Sequence, residues 1–398
     1  MMSNLALTAL TASTALGEGV VPLLSALKEG RSGLKACDFE GASINTWVGE
    51  VPAVDAEVLP PALHAYDCRN NRLALLGLRA DGFEEAVRNA MARYGADRVA
   101  LILGTSTSGI LSAEQAYRER DAEGALPEWF DYRATHNTAS VGAFVREYLG
   151  LRGPVSVVST ACSSSAKAFA AADRLISAGL ADAAVVGGVD SLCLTTLYGF
   201  SSLELTSAEP CRPGDVARKG LSIGEAAAFV LLEPVSGSAE EITLAGWGES
   251  SDAHHMSAPH PEGRGSRAAM QAALVRAGLQ ASDIHYINLH GTATPANDAS
   301  EGAAVAAIFD KGVPCSSTKG MTGHTLGAAG ALEAVICALS LRHGVLPASV
   351  GTQTPDPQIP LELVLKPGGT RPLRHVLSNS FGFGGSNCCL ILSLRGQS

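Results

Sequence analysis

The sequence predicts an α/β protein made of two related halves, and three observations carry that prediction. Short β-branched runs of strand type alternate with Ala-rich helical stretches along the whole chain. Only 17% of residues are charged and 5% aromatic, whereas 46% are hydrophobic and 43 of 398 are glycine, a balance that suits helices packed closely on buried sheets. The stretch VVSTACSSSAKAFAAA from Val157 and the stretch STKGMTGHTLGAAGALEA from Ser317 both pass from a strand through a tight turn into a small-residue helix. That echo suggests internal duplication.

In chain order, the apolar opening to Gly17 reads as a first strand and turn, and residues 20–28 and 83–94 have helical periodicity. Arg98 to Leu103 is a buried-strand run closed by Gly104, and 106–133 is a polar, irregular insertion of the kind that serves a function or an interface. A helix over 137–149 precedes the strand Val155 to Val158, which ends in small residues before a helical pattern running from Ala166 to Gly179. The strand Ala183 to Val189 ends in GGVD, and a basic loop, CRPGDVARKGLSIGE, leads to the strand Ala226 to Leu232. The polar turn at 234–240 divides an N-terminal half, 1–236, from a C-terminal half, 237–398. The second half offers a strand ITLAGWGES, a helix over 265–278, a strand over 284–289 that delivers HGTAT, and a short strand-like stretch from Cys315 to Lys319. It closes with a hairpin, Val376 to Asn379 and Asn387 to Ser393, around FGFGG.

Composition excludes several classes of function. A formal net charge of −10 lacks the basic footprint that nucleic acid demands. Nine cysteines without a CxxC pair read as reduced thiols of a cytoplasmic protein, with neither disulfide nor metal, and HHxxxxH at His254, His255 and His260 is poor zinc spacing. No Lys or Arg precedes Lys28, so no signal peptide is expected, and the apolar stretch 325–342 carries Glu333, so no membrane span is expected either.

Cys162 falls at the predicted strand-to-helix turn, where orphan N–H groups and the helix dipole favour a thiolate. Read alone, it is a nucleophile or a small buried hydrophobe. Together with His290 in NLHGTATP and with Lys319 and His324 in STKGMTGHTLGAAGALEA, it resembles the β-ketoacyl-acyl carrier protein synthases of the thiolase superfamily. GLRGPVSVVSTACSSS, RPGDVARKGLSIGEAAA, SSDAHHMSAPHPEG and SNSFGFGGSN stand in the family's order, so the likeness covers nearly the whole chain.

The resemblance implies a thiolase-like fold, a duplicated five-layer αβαβα architecture with two buried central helices. It implies decarboxylative Claisen condensation of an acyl group on Cys162 with malonyl-acyl carrier protein, for fatty acid or for specialised polyketide or aryl-polyene synthesis. His290 and His324 match the family's oxyanion donors, Lys319 and Glu333 its histidine-ordering groups, and the N–H groups of Cys162 and Phe383 its oxyanion hole. Thr292 and Thr294 match contacts to the phosphopantetheine arm, which arrives on the carrier, so no bound cofactor is implied. Phe200 and Thr107 match acyl-pocket positions, Thr107 by reaching across a dimer interface. Arg69, Arg72, Arg212, Arg218 and Lys219 lie in segments that resemble the carrier entrance. A homodimer is implied, or a heterodimer with a related chain.

Departures from the pattern are a degraded opening segment and a short loop, SAEPCRP, after Thr206, which favour a specialised synthase over a housekeeping one. The rival readings are a chain-length-setting partner subunit, whose nucleophile position is usually not cysteine, a biosynthetic thiolase using Cys388 or Cys389, and a Cys–His peptidase.

Overall fold

The computed structural model describes residues 5–238, 240–309, 312–368 and 371–396. Its strands, in chain order, are β1 (Leu5–Thr14), β2 (Gly17–Glu18), β3 (Lys35–Ala36), β4 (Trp47–Gly49), β5 (Val99–Gly104), β6 (Val155–Val158), β7 (Ala183–Asp190), β8 (Ile223–Gly224) and β9 (Ala226–Pro234). After the polar turn come β10 (Ile242–Ser251), β11 (Tyr286–Asn288), β12 (Pro314–Ser316), β13 (Glu362–Leu363), β14 (His375–Gly382) and β15 (Ser386–Leu394).

The two series repeat one topology. β1 is antiparallel to β9 and β9 to β7, while β7 and β5, then β5 and β6, are parallel. Likewise β10 is antiparallel to β15 and β15 to β14, while β14 and β11, then β11 and β12, are parallel. Apart from the two-residue β13 on the far edge, each series places its first strand beside its fifth, then its fourth, second and third. The sheets are joined where Leu5 and Ala6 of β1 pair with Leu244 and Thr243 of β10.

Helices complete five layers. On the outside of the first sheet lie α2 (Arg69–Arg79), α3 (Phe83–Tyr94) and α5 (Ser140–Leu149), and on the outside of the second lie α8 (Arg264–Ala277) and α9 (Pro295–Ala306). Between the sheets sit α6 (Ser164–Ser177) and α11 (Ala329–His343), whose alanines share one core with the inner faces of β1, β7, β9, β10, β14 and β15. This is the αβαβα arrangement the resemblance implies. Leu326–His343 is long and apolar enough to cross a membrane, but 89% of it is buried in this core.

The central helices touch almost backbone to backbone. The Ala331 N–H donates to Ser165 Oγ at 2.8 Å, and a Cβ at Gly330 would stand 2.6 Å from Ala166 N. Gly→Ala in a helix ordinarily stabilises by about 1 kcal/mol. Here overpacking, about 1–3 kcal/mol, outweighs that gain, so Gly330→Ala should lower the urea midpoint; a raised midpoint would show that the helices part without cost.

Several elements lay outside the sequence reading. α2 is one of them, although Arg69, Arg72 and Arg79 fall on one side of the helix; nine of its residues are buried, Arg69, Asn70 and Asn71 among them. A helix, α4 (Ile110–Arg118), stands inside the insertion read as irregular, and α7 (Leu194–Ser202) follows β7. The strand read as reaching Lys319 stops at Ser316, and Lys319 opens the four-residue helix α10 (Lys319–Thr322). β3, β4 and β8 form a small separate sheet, and its neighbours Ser222 and Gly224 hold the backbone N–H and C=O of His324.

Candidate active site

β6 delivers Cys162 through a turn in which Ala161 adopts φ 52°, a left-handed conformation that marks functional turns when a non-glycine residue holds it. Ser163 caps α6, so the sulfur stands at the helix N-terminus as the sequence suggests. Burial opposes the thiolate that this position would favour. Cys162 is 4% exposed, and burial pushes its thiol up to about 12, against the opposing pull of Lys319 and of the Phe383 N–H, which faces the sulfur. Desolvation outweighs the helix dipole, and at neutral pH the resting group is a thiol. Gly382 sits directly behind it, since a Cβ there would lie 2.9 Å from Thr160 O and 3.2 Å from Cys162 N.

His324 Nε2 is 3.0 Å from Cys162 Sγ, and the His290 ring stands edge-on to His324 with centroids 5.2 Å apart. The sulfur and a nitrogen from each ring fall within 4.8 Å of one another. Both imidazoles are held well below the usual 6.5, first by burial and next by the Lys319 charge, with His324 adding to the effect on His290. They are neutral and able to donate one N–H each. Lys319 Nζ donates to Glu333 Oε1 in a buried ion pair, where burial raises the carboxyl and Lys319 pulls it back.

These neutral imidazoles set a pH dependence. Unfolded histidines protonate near 6.5 and buried ones do not, so below that pH the unfolded chain binds more protons and stability falls, by up to about 1.4 kcal/mol per pH unit for each ring. Glu333 acts in the opposite sense but is common to wild type and variant. Urea titrations should therefore show a shallower loss between pH 6.5 and 5 for the doubly substituted His290→Ala, His324→Ala protein; parallel losses would mean that the rings are charged in the fold.

Buried carboxylates, among them Asp298 and Glu301 that follow the HGTAT loop, set the loops. Glu301 accepts from the N–H groups of His290 and Gly291, at 2.8 Å each, and Asp298 accepts from the Ala293 and Gly214 N–H groups. Asp252 accepts from Asn387 Nδ2 at 2.8 Å and its own N–H donates to Gly385 O, fixing the Phe383–Gly385 turn.

A cavity of about 600 Å³, mouth included, opens onto Cys162, His290 and His324. Thr292 and Thr294 line it with hydroxyls 2.9 Å apart, and Phe200 faces Phe383 at 5.4 Å between ring centroids. Cys388 and Cys389 are buried in β15, away from the lining, and the Cys389 thiol donates to Asn379 Oδ1.

Other expected site residues are spent elsewhere. Thr107 is buried with its hydroxyl donating to Asp190 Oδ1 at 2.8 Å and accepting from the Ser191 N–H, and it lies outside the lining of its own chain's cavity. Arg69 is not a docking residue: its side chain is 6% exposed and bound to Glu225, Asp55 and Glu50 beside the Phe39 ring. Arg218, 9% exposed, is held by Asp356 and Asp298, and Arg72 forks onto Asp67. Arg212 remains partly exposed beside Glu209, and Lys219 is exposed.

The β-ketoacyl synthase N-terminal domain profile matches residues 2–237 and the C-terminal domain profile residues 242–353. The 3-oxoacyl-[acyl-carrier-protein] synthase 2 of Rhizobium meliloti is 38% identical over 299 residues, 71% of this chain and 70% of that protein. The Staphylococcus aureus protein of the same name is 32% identical over 326 residues, 77% and 80% of the two. Among solved structures, the ketosynthase ApeO in complex with its chain length factor ApeC from Xenorhabdus doucetiae is 40% identical, with a TM-score of 0.89 over 99% of this chain and 98% of that one. The ishigamide ketosynthase/chain length factor is 27% identical, with a TM-score of 0.89 over the whole of both chains. Profile matches on both sides of the polar turn, together with a nucleophile and two histidines meeting at one cavity, make the chain a member of the β-ketoacyl synthase family.

Proposed function

We propose that this protein is a condensing acyltransferase, a 3-oxoacyl-[acyl-carrier-protein] synthase. A half comprising residues 1–236 presents the nucleophile, and a half comprising 237–398 presents the histidines. The observation that carries the reading is the 3.0 Å approach of a neutral imidazole to a buried thiol, with a second neutral imidazole beside it. In the first half-reaction the Cys162 sulfur attacks the thioester carbonyl, its proton passing to His324 Nε2 and on to the departing pantetheine sulfur. The Cys162 and Phe383 N–H groups face the oxyanion. In the second, the malonyl carboxylate leaves as carbon dioxide, and its electron pair moves into an enolate whose oxygen takes hydrogen bonds from His290 and His324. The enolate carbon attacks the Cys162 thioester, and collapse of the adduct releases the sulfur as a thiolate, which takes up one proton from solvent beside His324 Nε2. The phosphopantetheine belongs to the substrate and lies along Thr292 and Thr294. Mixing the protein with acyl- and malonyl-carrier should release carbon dioxide and yield carrier heavier by the 3-oxoacyl increment; acyl exchange without condensation would refute it.

The partners of this reading are an acidic acyl carrier protein and a second ketosynthase-like chain, either another copy or a chain length factor. β6 ends the sheet with Val155 and Ser156 exposed, which leaves an unpaired edge for such a chain, and the Xenorhabdus relative was solved with its chain length factor. Nine free thiols suit the cytoplasm. The pathway is fatty acid synthesis or specialised polyketide or aryl-polyene synthesis, and the short SAEPCRP loop favours the specialised kind. Reversing charge at Arg212 and Lys219 should raise KM for carrier-bound substrate at unchanged kcat, with the effect fading as salt rises. Unchanged KM at low salt would remove both from the docking surface.

A further inference from the structure

Three segments converge on one buried carboxylate. Asp190 ends β7 and is wholly buried. Its Oδ1 accepts from the Thr105 hydroxyl at 2.7 Å and from the Ser106 N–H, the Thr107 N–H and the Thr107 hydroxyl at 2.8 Å each. Its Oδ2 accepts from the Ser106 N–H at 3.0 Å and from the Gly327 N–H. Gly327 lies three residues beyond His324, and between them Leu326 stands at φ 50°, a conformation that a branched side chain keeps only when its surroundings enforce it. The fit is close, since a Cβ on Gly327 would lie 2.7 Å from Asp190 Oδ2.

The His324 ring has little direct support. Its Nε2 meets Cys162 Sγ and its Nδ1 has no protein partner, while its backbone N–H donates to Ser222 O at 2.7 Å and its C=O accepts from Gly224. A ring held this way takes its aim from the backbone, and on the C-terminal side that backbone runs into the strained Leu326 turn. Asp190 belongs to the half that carries Cys162, so it ties the histidine turn to the strand layer behind the nucleophile.

We propose that Asp190 is a positioning residue for His324: by holding the Gly327 N–H it keeps the Leu326 turn closed and aims the imidazole at Cys162. The consequence for turnover rests on the condensing reading above, whereas the geometry does not.

Asp190→Asn separates the two ends of the carboxylate. The amide oxygen can replace Oδ1 toward Thr105 and Thr107, but the amide nitrogen then faces the Gly327 N–H, donor against donor. Condensation should fall at least tenfold, and the doubly substituted Asp190→Asn, His324→Ala protein should be no slower than His324→Ala alone, because both changes remove one function. Thr105→Val, which removes the bond to Oδ1 and the one its hydroxyl accepts from the Ser108 N–H but leaves Oδ2 and Gly327 untouched, should stay within about threefold of wild type. The rate at which iodoacetamide alkylates Cys162, followed by peptide mass, should show the same non-additive pattern and needs no condensing activity. Additive losses in the double variant, an unaffected Asp190→Asn, or an equal loss in Thr105→Val would overturn the proposal. Should Asp190→Asn fail to fold, Asp190→Glu enters the same cycle, and additivity with His324→Ala counts equally against the proposal. A wild type that does not condense but gives the non-additive alkylation pattern would sink the functional reading and leave the positioning role standing.

Discussion

Cys162→Ala gains no acyl mass from acyl-carrier substrate and forms no 3-oxoacyl product, whereas the wild type gains one acyl group at that residue. The loss is complete because the other eight cysteines line neither the catalytic cavity nor an approach to the histidines. Folding changes little, since the substitution removes a single sulfur atom at the cavity wall and the Cys162 backbone contacts remain. Intact-protein mass spectrometry decides the matter. Acylation of the alanine variant at any other cysteine would displace Cys162 as nucleophile. Its malonyl-decarboxylating activity should outlast its condensing activity, because the two imidazoles are still in place.

His290→Ala and His324→Ala each slow malonyl decarboxylation by about a hundredfold, the effect of removing one preorganised donor worth about 3 kcal/mol from a developing oxyanion. The two should differ in the other half-reaction. His324 touches the sulfur and His290 does not, so His324→Ala also slows acyl transfer to Cys162 while His290→Ala largely spares it. Single-turnover acylation and carbon dioxide release, measured separately, read these two effects. Equal loss of both half-reactions in both variants would refute this division of labour.

The fold and the reacting groups were legible because the signals lie within short stretches. A strand, a turn and a small-residue helix occupy about 25 residues around Cys162, and the same order returns around His324. What stayed hidden depends on partners far along the chain. Arg69 reads as a surface charge until Glu225, 156 positions away, closes on its guanidinium. The hydroxyl of Thr107 is spoken for by Asp190, 83 positions away. Burial hid other features: Arg69, Asn70 and Asn71 open α2 as polar residues and are nevertheless buried, and the upward push on the Cys162 thiol follows from burial rather than from its neighbours in sequence.

The buried, protonated state of Cys162 also bears on its susceptibility to oxidation. Oxidation to sulfenic and then sulfinic acid proceeds through the thiolate and needs access for the oxidant. A thiol pushed up to about 12 is almost wholly protonated at neutral pH, and at 4% exposure few oxidants reach it. Reactivity is thereby confined to the moments when an acyl thioester fills the cavity and His324 can take the proton, so the protein exchanges constant readiness for a long working life.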